Sequence, residues 1–345
     1  MRTSLLPKEG QFYKANLHAH TTVSDGSWTP EEMKQNYKEQ GYSVIAFTDH
    51  NVMIDHSELA DDDFLPLRGV ELDVGEVQNV PKEKRTRSSK TCHMCLIALD
   101  PDNMTQVCWH REKYYVGWGN MYKYADRVKY DDSLPNYERF YSGEKISEMM
   151  RIGRENGFFV TYNHPAWSME TADNYMNYDG MHAMEICNFG CWELGYEDYT
   201  PRIYDEMLRG GKRIFCVATD DNHNRGKDPT HDSFGGFTMI KAEKLDYRTI
   251  TKALERGDFY ASMGPEIYDL YVEDGVVHIT CSPAARISIN TGWRHANAVW
   301  AKEGETLTHA SFPIKENILY FRLDVMDERG RHANTRAYFL DELEK

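Results

Sequence analysis

The residues whose types and spacing could do chemistry are histidines and carboxylates. Asn16-Leu17-His18-Ala19-His20 sets two imidazoles at i and i+2. On extended chain such side chains share a face, so both can reach one cation. Asp25 follows in Ser24-Asp25-Gly26, His50 in Thr48-Asp49-His50 and Glu71 in Gly69-Val70-Glu71. His93 opens an apolar run, His164 sits in Asn163-His164-Pro165, and Asp221 and His223 lie in Asp220-Asp221-Asn222-His223. One H-x-H is weak evidence, because many such pairs are merely exposed. The recurrence is a stronger signal. Imidazole nitrogen with carboxylate oxygen suits Zn, Mn or Fe as a divalent ion.

The elements that must position these residues alternate in type. Strands are expected at Phe12–Leu17, Val44–Thr48, Leu67–Leu72, Cys92–Leu99, Phe158–Tyr162, Met184–Cys187, Ile214–Ala218 and Phe237–Ile240. Helices are expected at Pro30–Glu39, with Thr29 as N-cap and Gly41 as stop, and at Gly143–Asn156, Pro201–Arg209 and Tyr247–Arg256. Alternation of this kind predicts a parallel α/β sheet or barrel. The strand C-terminal ends of a barrel meet on one face, where His and acidic residues at successive ends would gather. Beyond Gly264-Pro265 the pattern changes to strand-like runs at Ile267–Val272, Val276–Cys281, Arg286–Asn290, Tyr320–Asp324 and Arg336–Leu340. This predicts residues 1–264 as a hydrolase domain and 265–345 as a small antiparallel, sandwich-like β domain. The Trp- and Tyr-rich span 109–141 has poor periodicity and reads as a long insertion.

Taken in order, the ligand motifs resemble those of the PHP (polymerase and histidinol phosphatase) superfamily of metal-dependent phosphoesterases, over roughly residues 12–264. Gly257-Asp258-Phe259-Tyr260-Ala261-Ser262-Met263-Gly264-Pro265 also resembles a segment of predicted family members that carry a C-terminal β domain. The resemblance implies a distorted seven-stranded β/α barrel holding two or three divalent ions. It implies that His18, His20 and Asp221 bind the first ion. Glu71 would bridge to a second, completed by His93 and His164, and Asp25, His50 and His223 would hold a third. Asp221, His223 and Glu71 take the catalytic assignment. Asp221 is preferred to Asp220 because it stands two residues before His223, matching the family's D-x-H. The stretch between Glu71 and His93 is longer than the compact family pattern.

The implied reaction is hydrolysis of a phosphate mono- or diester in a small phosphorylated metabolite, a nucleotide or a short oligonucleotide, by metal-activated hydroxide. There is no Gly-x-Ser-x-Gly elbow and no P-loop. The competing readings are a metal hydrolase of a non-phosphate bond, such as an amide, and a metal- or carbohydrate-binding module without activity. The loop Pro81–Lys90 carries Lys84, Arg85 and Arg87 between two predicted ligands, and is either a phosphate-steering rim or a solvated charged loop. Trp109, Tyr114, Tyr115, Trp118 and Tyr122 either stack on a substrate ring or pack within the insertion. Cys92 and Cys95 read as buried thiols. Asp49 reads as a partner that orients a ligand.

A net charge of -15 argues against stable binding to duplex nucleic acid or to an anionic membrane. Seven Cys without framework spacing, and a start with no apolar core segment, favour a cytoplasmic location.

Overall fold

The computed structural model describes residues 2–77, 80, 84, 90–117 and 119–343. The α/β part runs β2 (Gln11–Asn16), α1 (Pro30–Glu39), β3 (Tyr42–Phe47), β4 (Leu65–Gly75), β5 (Thr91–Ala98), α2 (Gly143–Glu155), β6 (Phe158–Tyr162), α3 (Ala172–Tyr175), β7 (Ala183–Asn188), α4 (Phe189–Glu193), α5 (Pro201–Arg209), β8 (Phe215–Thr219), β9 (Phe237–Ala242), α6 (Tyr247–Arg256) and β10 (Phe259–Ser262). It is preceded by β1 (Arg2–Ser4). The tail follows as β11 (Ile267–Glu273), β12 (Val276–Ala284), β13 (Arg286–Thr291), β14 (Asn297–Trp300), β15 (Leu307–Pro313), β16 (Tyr320–Met326), β17 (His332–Thr335), β18 (Tyr338–Phe339) and α7 (Leu340–Leu343).

Local chemistry sets the helix ends. Thr29 Oγ1 accepts from Glu32 N at 3.2 Å while Glu32 accepts from Thr29 N at 2.8 Å, a reciprocal cap in front of Pro30. The helix buries Met33 and Tyr37 and ends before Gly41, whose φ of 77° favours glycine. Asp246 caps α6 by accepting from Thr249 N. Helix α6 then buries Ile250, Ala253 and Leu254 against Val44, Leu67, Ile97 and Val217. Helix α2 places Ile146, Met149 and Met150 against Leu96, Val160 and Met184.

Strands β2, β3 and β4 are parallel, as are β6, β7 and β8. The expectation of a wholly parallel arrangement needs correction at β5, which runs antiparallel to both β4 and β6. Strand β9 is likewise antiparallel to β2. From β2 to β9 there are eight strands rather than seven. Among the described residues no backbone ladder closes β8 onto β9. The two strands meet instead through Thr238, whose Oγ1 donates to Ala218 O at 3.0 Å.

The tail is two-layered. One layer is β1-β11-β12-β15; the other, β14-β13-β16-β17, continues through β10 into the main sheet. Ile279, Ile287, Phe312, Phe321 and Val325 fill the core of the tail. Side-chain contacts join the β10–β17 ladder in tying the tail to the α/β part. Buried Arg322 pairs with Asp205 of α5 at 2.7 Å, and Tyr204 Oη accepts from Ala337 N at 3.1 Å. The strand expected at Arg336–Leu340 shortens to β18, because the chain turns into α7 at Leu340. Among the described residues no helix is long and apolar enough to cross a membrane.

Candidate metal centre

The site forms where the chain leaves β2, β3, β6 and β8, at β4, and at the start of β5. Because β5 is reversed, its first residues face the same way as the C-terminal ends of its parallel neighbours, which brings His93 to the cluster. The loops after β2 and β8 are zipped together. Asp221 N donates to His18 O at 2.9 Å and His20 N to Asn222 O at 3.2 Å. Asp221 and His164 have φ of 51° and 25°, in the left-handed region that costs non-glycine residues energy and collects at functional sites.

Glu71 is the hub. Its Oε1 lies 3.2 Å from His18 Nε2, 3.1 Å from His93 Nδ1 and 3.2 Å from His164 Nε2. Its Oε2 lies 3.3 Å from His20 Nε2 and 3.0 Å from His50 Nδ1. Asp221 Oδ1 lies 3.2 Å from His18 Nε2 and 2.9 Å from His20 Nε2. Asp25 stands beyond, 3.8 Å from His50 Nε2, 3.9 Å from His20 Nδ1 and 3.5 Å from His223 Nε2. Every sequence-predicted ligand is therefore in one place.

Three sets of donor atoms lie within 4.8 Å of one another: His18, His20, Glu71 and Asp221; His50, Glu71 and His93; and His20, Asp25, His50 and His223. His164 belongs to none of these sets but touches Glu71. His50 belongs to the second as well as the third.

The donors fit divalent ions. The Nε2 atoms of His18 and His20 converge to 3.1 Å, and among the described residues buried Glu71 Oε2 faces two imidazole nitrogens, at 3.0 and 3.3 Å, without a well-aligned hydrogen bond. Electrostatics agree. Burial pushes the Glu71 carboxyl up, yet His18, His93 and His50 outweigh it and hold it well below the usual range. Asp221 is depressed in the same way, with His18 as its largest opposing charge. Burial presses His18 and His20 down, but Asp221 and Glu71 raise both well above an ordinary imidazole. Burial and the charge of His20 take His50 down to about 3. A field that holds carboxylates ionised and draws protons to imidazoles also favours metal cations.

Partners beyond the ligands fix their orientation. Glu185 accepts from His18 Nδ1 at 2.7 Å, Thr219 Oγ1 at 2.7 Å, His164 N at 2.9 Å and Asn188 Nδ2 at 2.9 Å. It thereby turns the His18 Nε2 lone pair toward Glu71 and Asp221. Sequence reasoning missed Glu185, although a carboxylate inside the apolar strand Ala183–Asn188 was a usable signal. Asn163, also missed as a site residue, donates to Glu71 Oε1 at 3.2 Å. Asp49 does not orient an imidazole; it accepts from Thr21 N at 2.8 Å and Ser24 Oγ at 2.7 Å, holding the loop that carries Asp25. Asp220 faces away from the cluster and accepts from Tyr37 Oη and from the backbone of Phe234, Gly235 and Gly236.

The cluster floors a cavity of about 550 Å³, which is also lined by Trp167, Leu194, Arg225 and His231. Arg225 is its one permanent cation among the described residues, and its guanidinium pairs with Asp25. Lys84 is exposed and does not line this cavity, while Arg85 and Arg87 lie outside the described residues. Trp109 is buried and stacks on Tyr115 at 5.1 Å and on Tyr130 at 5.8 Å, inside a core that includes Val52 and Met121. Tyr114 Oη accepts from Arg139 N, and Tyr122 is exposed. Trp118 lies outside the described residues. The cysteines are all buried and free.

The chain belongs to the PHP domain family, whose domain matches residues 16–256. Among solved structures, a two-domain Bacteroides vulgatus protein containing a predicted PHP-like metal-dependent phosphoesterase shares 14% identity, covers 94% of each chain and has a TM-score of 0.46. A candidate metal-dependent phosphoesterase from Bifidobacterium adolescentis shares 17% identity over 73% of this chain and 98% of its own, with a TM-score of 0.39. An amidohydrolase from Chromobacterium violaceum, with bound sulfate and no metal, shares 16% over 71% and 96%, also at 0.39. No curated protein matches the chain.

Proposed function

We propose that this protein is a metal-dependent phosphoesterase that cleaves a phosphate mono- or diester in a small phosphorylated molecule, a nucleotide or a short oligonucleotide. The observation that carries the reading is the convergence of His93, His164, Glu71 and Asp221 on the floor of one open cavity, with His18 and His20 buried directly against Glu71 and Asp221. His18, His20 and Asp221 would hold a first ion, Glu71 would bridge to a second with His93 and His164, and Asp25, His50 and His223 would hold a third. Bound Zn, Mn or Fe would supply Lewis acidity toward water and phosphoryl oxygen and would offset charge in an in-line displacement.

The chain's own residues do the rest. Glu185 keeps the proton on His18 Nδ1 so that Nε2 can ligate. Arg225 presents a guanidinium suited to a phosphate oxygen. Asp221, His223 and Glu71 are the residues on which turnover depends. The cavity volume suits a small ligand, and the acidity of the chain disfavours duplex nucleic acid. All proposed ligands fall within residues 1–264, with 265–345 as an appended β domain. A cytoplasmic location is consistent with the buried free thiols.

The test is turnover by Mn-loaded protein on a panel of monoesters, diesters, nucleotides and short oligonucleotides, with Asp221→Ala as control. Hydrolysis lost in the control supports the proposal. A metal-loaded protein that hydrolyses no phosphate ester but cleaves amides would replace it.

A further inference from the structure

We infer that the substrate carries a planar, apolar group next to its phosphate, and that Trp167 and Leu194 form the shelf that receives it. The inference rests on the phosphoesterase reading and extends it to the class of substrate.

The cavity is chemically lopsided. Arg225 pairs with Asp25 at the end of the ligand set that contains His223. Trp167 packs at the other end, its indole set across the rings of His93 and His164 with centroids 5.3 and 5.0 Å away. Both line the same cavity. An anionic group held at the cluster and Arg225 would therefore leave the rest of the ligand over the indole.

The shelf is built rather than incidental. Asp198 is buried and accepts from Ala166 N at 3.0 Å and Trp167 N at 2.8 Å, which fixes the backbone of the indole. Asp198 O also accepts from Asn188 N at 2.9 Å, tying this loop to the start of α4. Helix α4 then delivers Gly190 and Cys191, and the turn that ends it Leu194, to the cavity wall. Leu194 is 65% exposed, the largest exposure among the large hydrophobic residues described. Together with Trp167 it gives the cavity an apolar side next to the cluster, which the apolar part of a ligand would cover. Gly190 cannot carry a side chain, since a Cβ there would lie 2.7 Å from Asp220 O. This part of the wall is therefore packed directly against the Asp220–Asp221 backbone. Among the described residues the aromatic-rich insertion lines none of this cavity, and its Trp109 and Tyr115 stack on each other within their own core.

The experiment uses two non-hydrolysable probes on the Mn-loaded full chain, phenylphosphonate and methylphosphonate, with binding measured by calorimetry. The phenyl probe is expected to bind about tenfold more tightly, the scale of an aromatic contact plus its burial. Trp167→Ala should abolish that preference, Trp167→Phe should keep most of it, and Leu194→Ser should reduce it. Leu194 is exposed, so its variant tests the shelf even if Trp167→Ala disturbs folding. Equal binding of both probes to wild type, or a preference untouched by Leu194→Ser and Trp167→Ala, overturns the shelf while leaving the phosphoesterase reading intact. Failure of both probes to bind metal-loaded protein counts against the phosphate reading itself, and the shelf falls with it.

Discussion

Glu185→Gln is the substitution that best separates geometry from mere presence of ligands. The side chains are nearly isosteric, but every lone pair of Glu185 is in use. Oε1 receives His18 Nδ1 and Thr219 Oγ1, both at 2.7 Å, and Oε2 receives His164 N and Asn188 Nδ2, both at 2.9 Å. A glutamine must turn its NH₂ toward one of these pairs. Toward His18, it forces Nδ1 to accept and moves the ring proton to Nε2, the atom 3.2 Å from Glu71 and Asp221. That nitrogen can then no longer ligate. Toward His164, it orphans a backbone N–H and pushes away Asn188, which donates to Asp221 Oδ2 at 3.1 Å. Loss of such a partner typically weakens metal affinity about 10- to 100-fold, or about 1.4–2.7 kcal/mol. The assay is Mn titration against a competing chelator, with ¹⁵N spectra of the metal-free protein to report the His18 tautomer. An unchanged affinity together with a retained Nδ1–H tautomer would refute the reasoning.

Three further outcomes are expected. Asp221→Asn should lose metal and turnover, whereas Asp220→Asn should keep metal and lose about 1–3 kcal/mol of stability by setting an amide against donors that need an acceptor; denaturant melts with elemental analysis separate the two. Burial and Arg154 hold the His182 imidazole down at about 4, so it favours folding above its unfolded value near 6.5 and that stability is lost as pH falls through about 4. The loss amounts to at most about 3 kcal/mol, and His182→Gln, which retains an acceptor for Val160 N–H, should flatten the acid limb of a stability–pH profile. Ending the chain at residue 264 should give insoluble protein, since it strips β17 from β10 and leaves Asp205 without Arg322; a soluble, metal-binding fragment would contradict this.

Most of the candidate ligand set was legible because its members stand as polar residues in or just past apolar strand-like runs, while their grouping, and the place of Asp25 in a loop well beyond β2, came from the family resemblance. The helices Pro30–Glu39, Pro201–Arg209 and Tyr247–Arg256 were legible for a similar reason, since a first-turn Pro or a side-chain cap starts each and a Gly follows close on each end. What was not legible depends on distant partners. β1 is three residues long and exists because it pairs with β11, more than 260 residues away. β14 is a short, largely exposed edge strand with no apolar alternation to betray it. The reversal of β5 leaves no mark in its own sequence, which is apolar whichever way it runs. Glu185 looked like a stray charge because its four donors come from four different segments. Arg225 was passed over in favour of the denser charge of the 81–90 loop, although Arg225 is the one permanent cation among the described residues that lines the cavity.

The most direct test of the central claim is elemental analysis of the purified full chain after loading with Mn or Zn and exhaustive removal of free metal. The account predicts about two to three ions per chain, matching the three donor sets, two of which share Glu71. It also predicts that His18→Ala with His20→Ala removes most of them, with the fold retained by circular dichroism. Metal content near zero in wild type, or a content that the double substitution leaves unchanged, would contradict it.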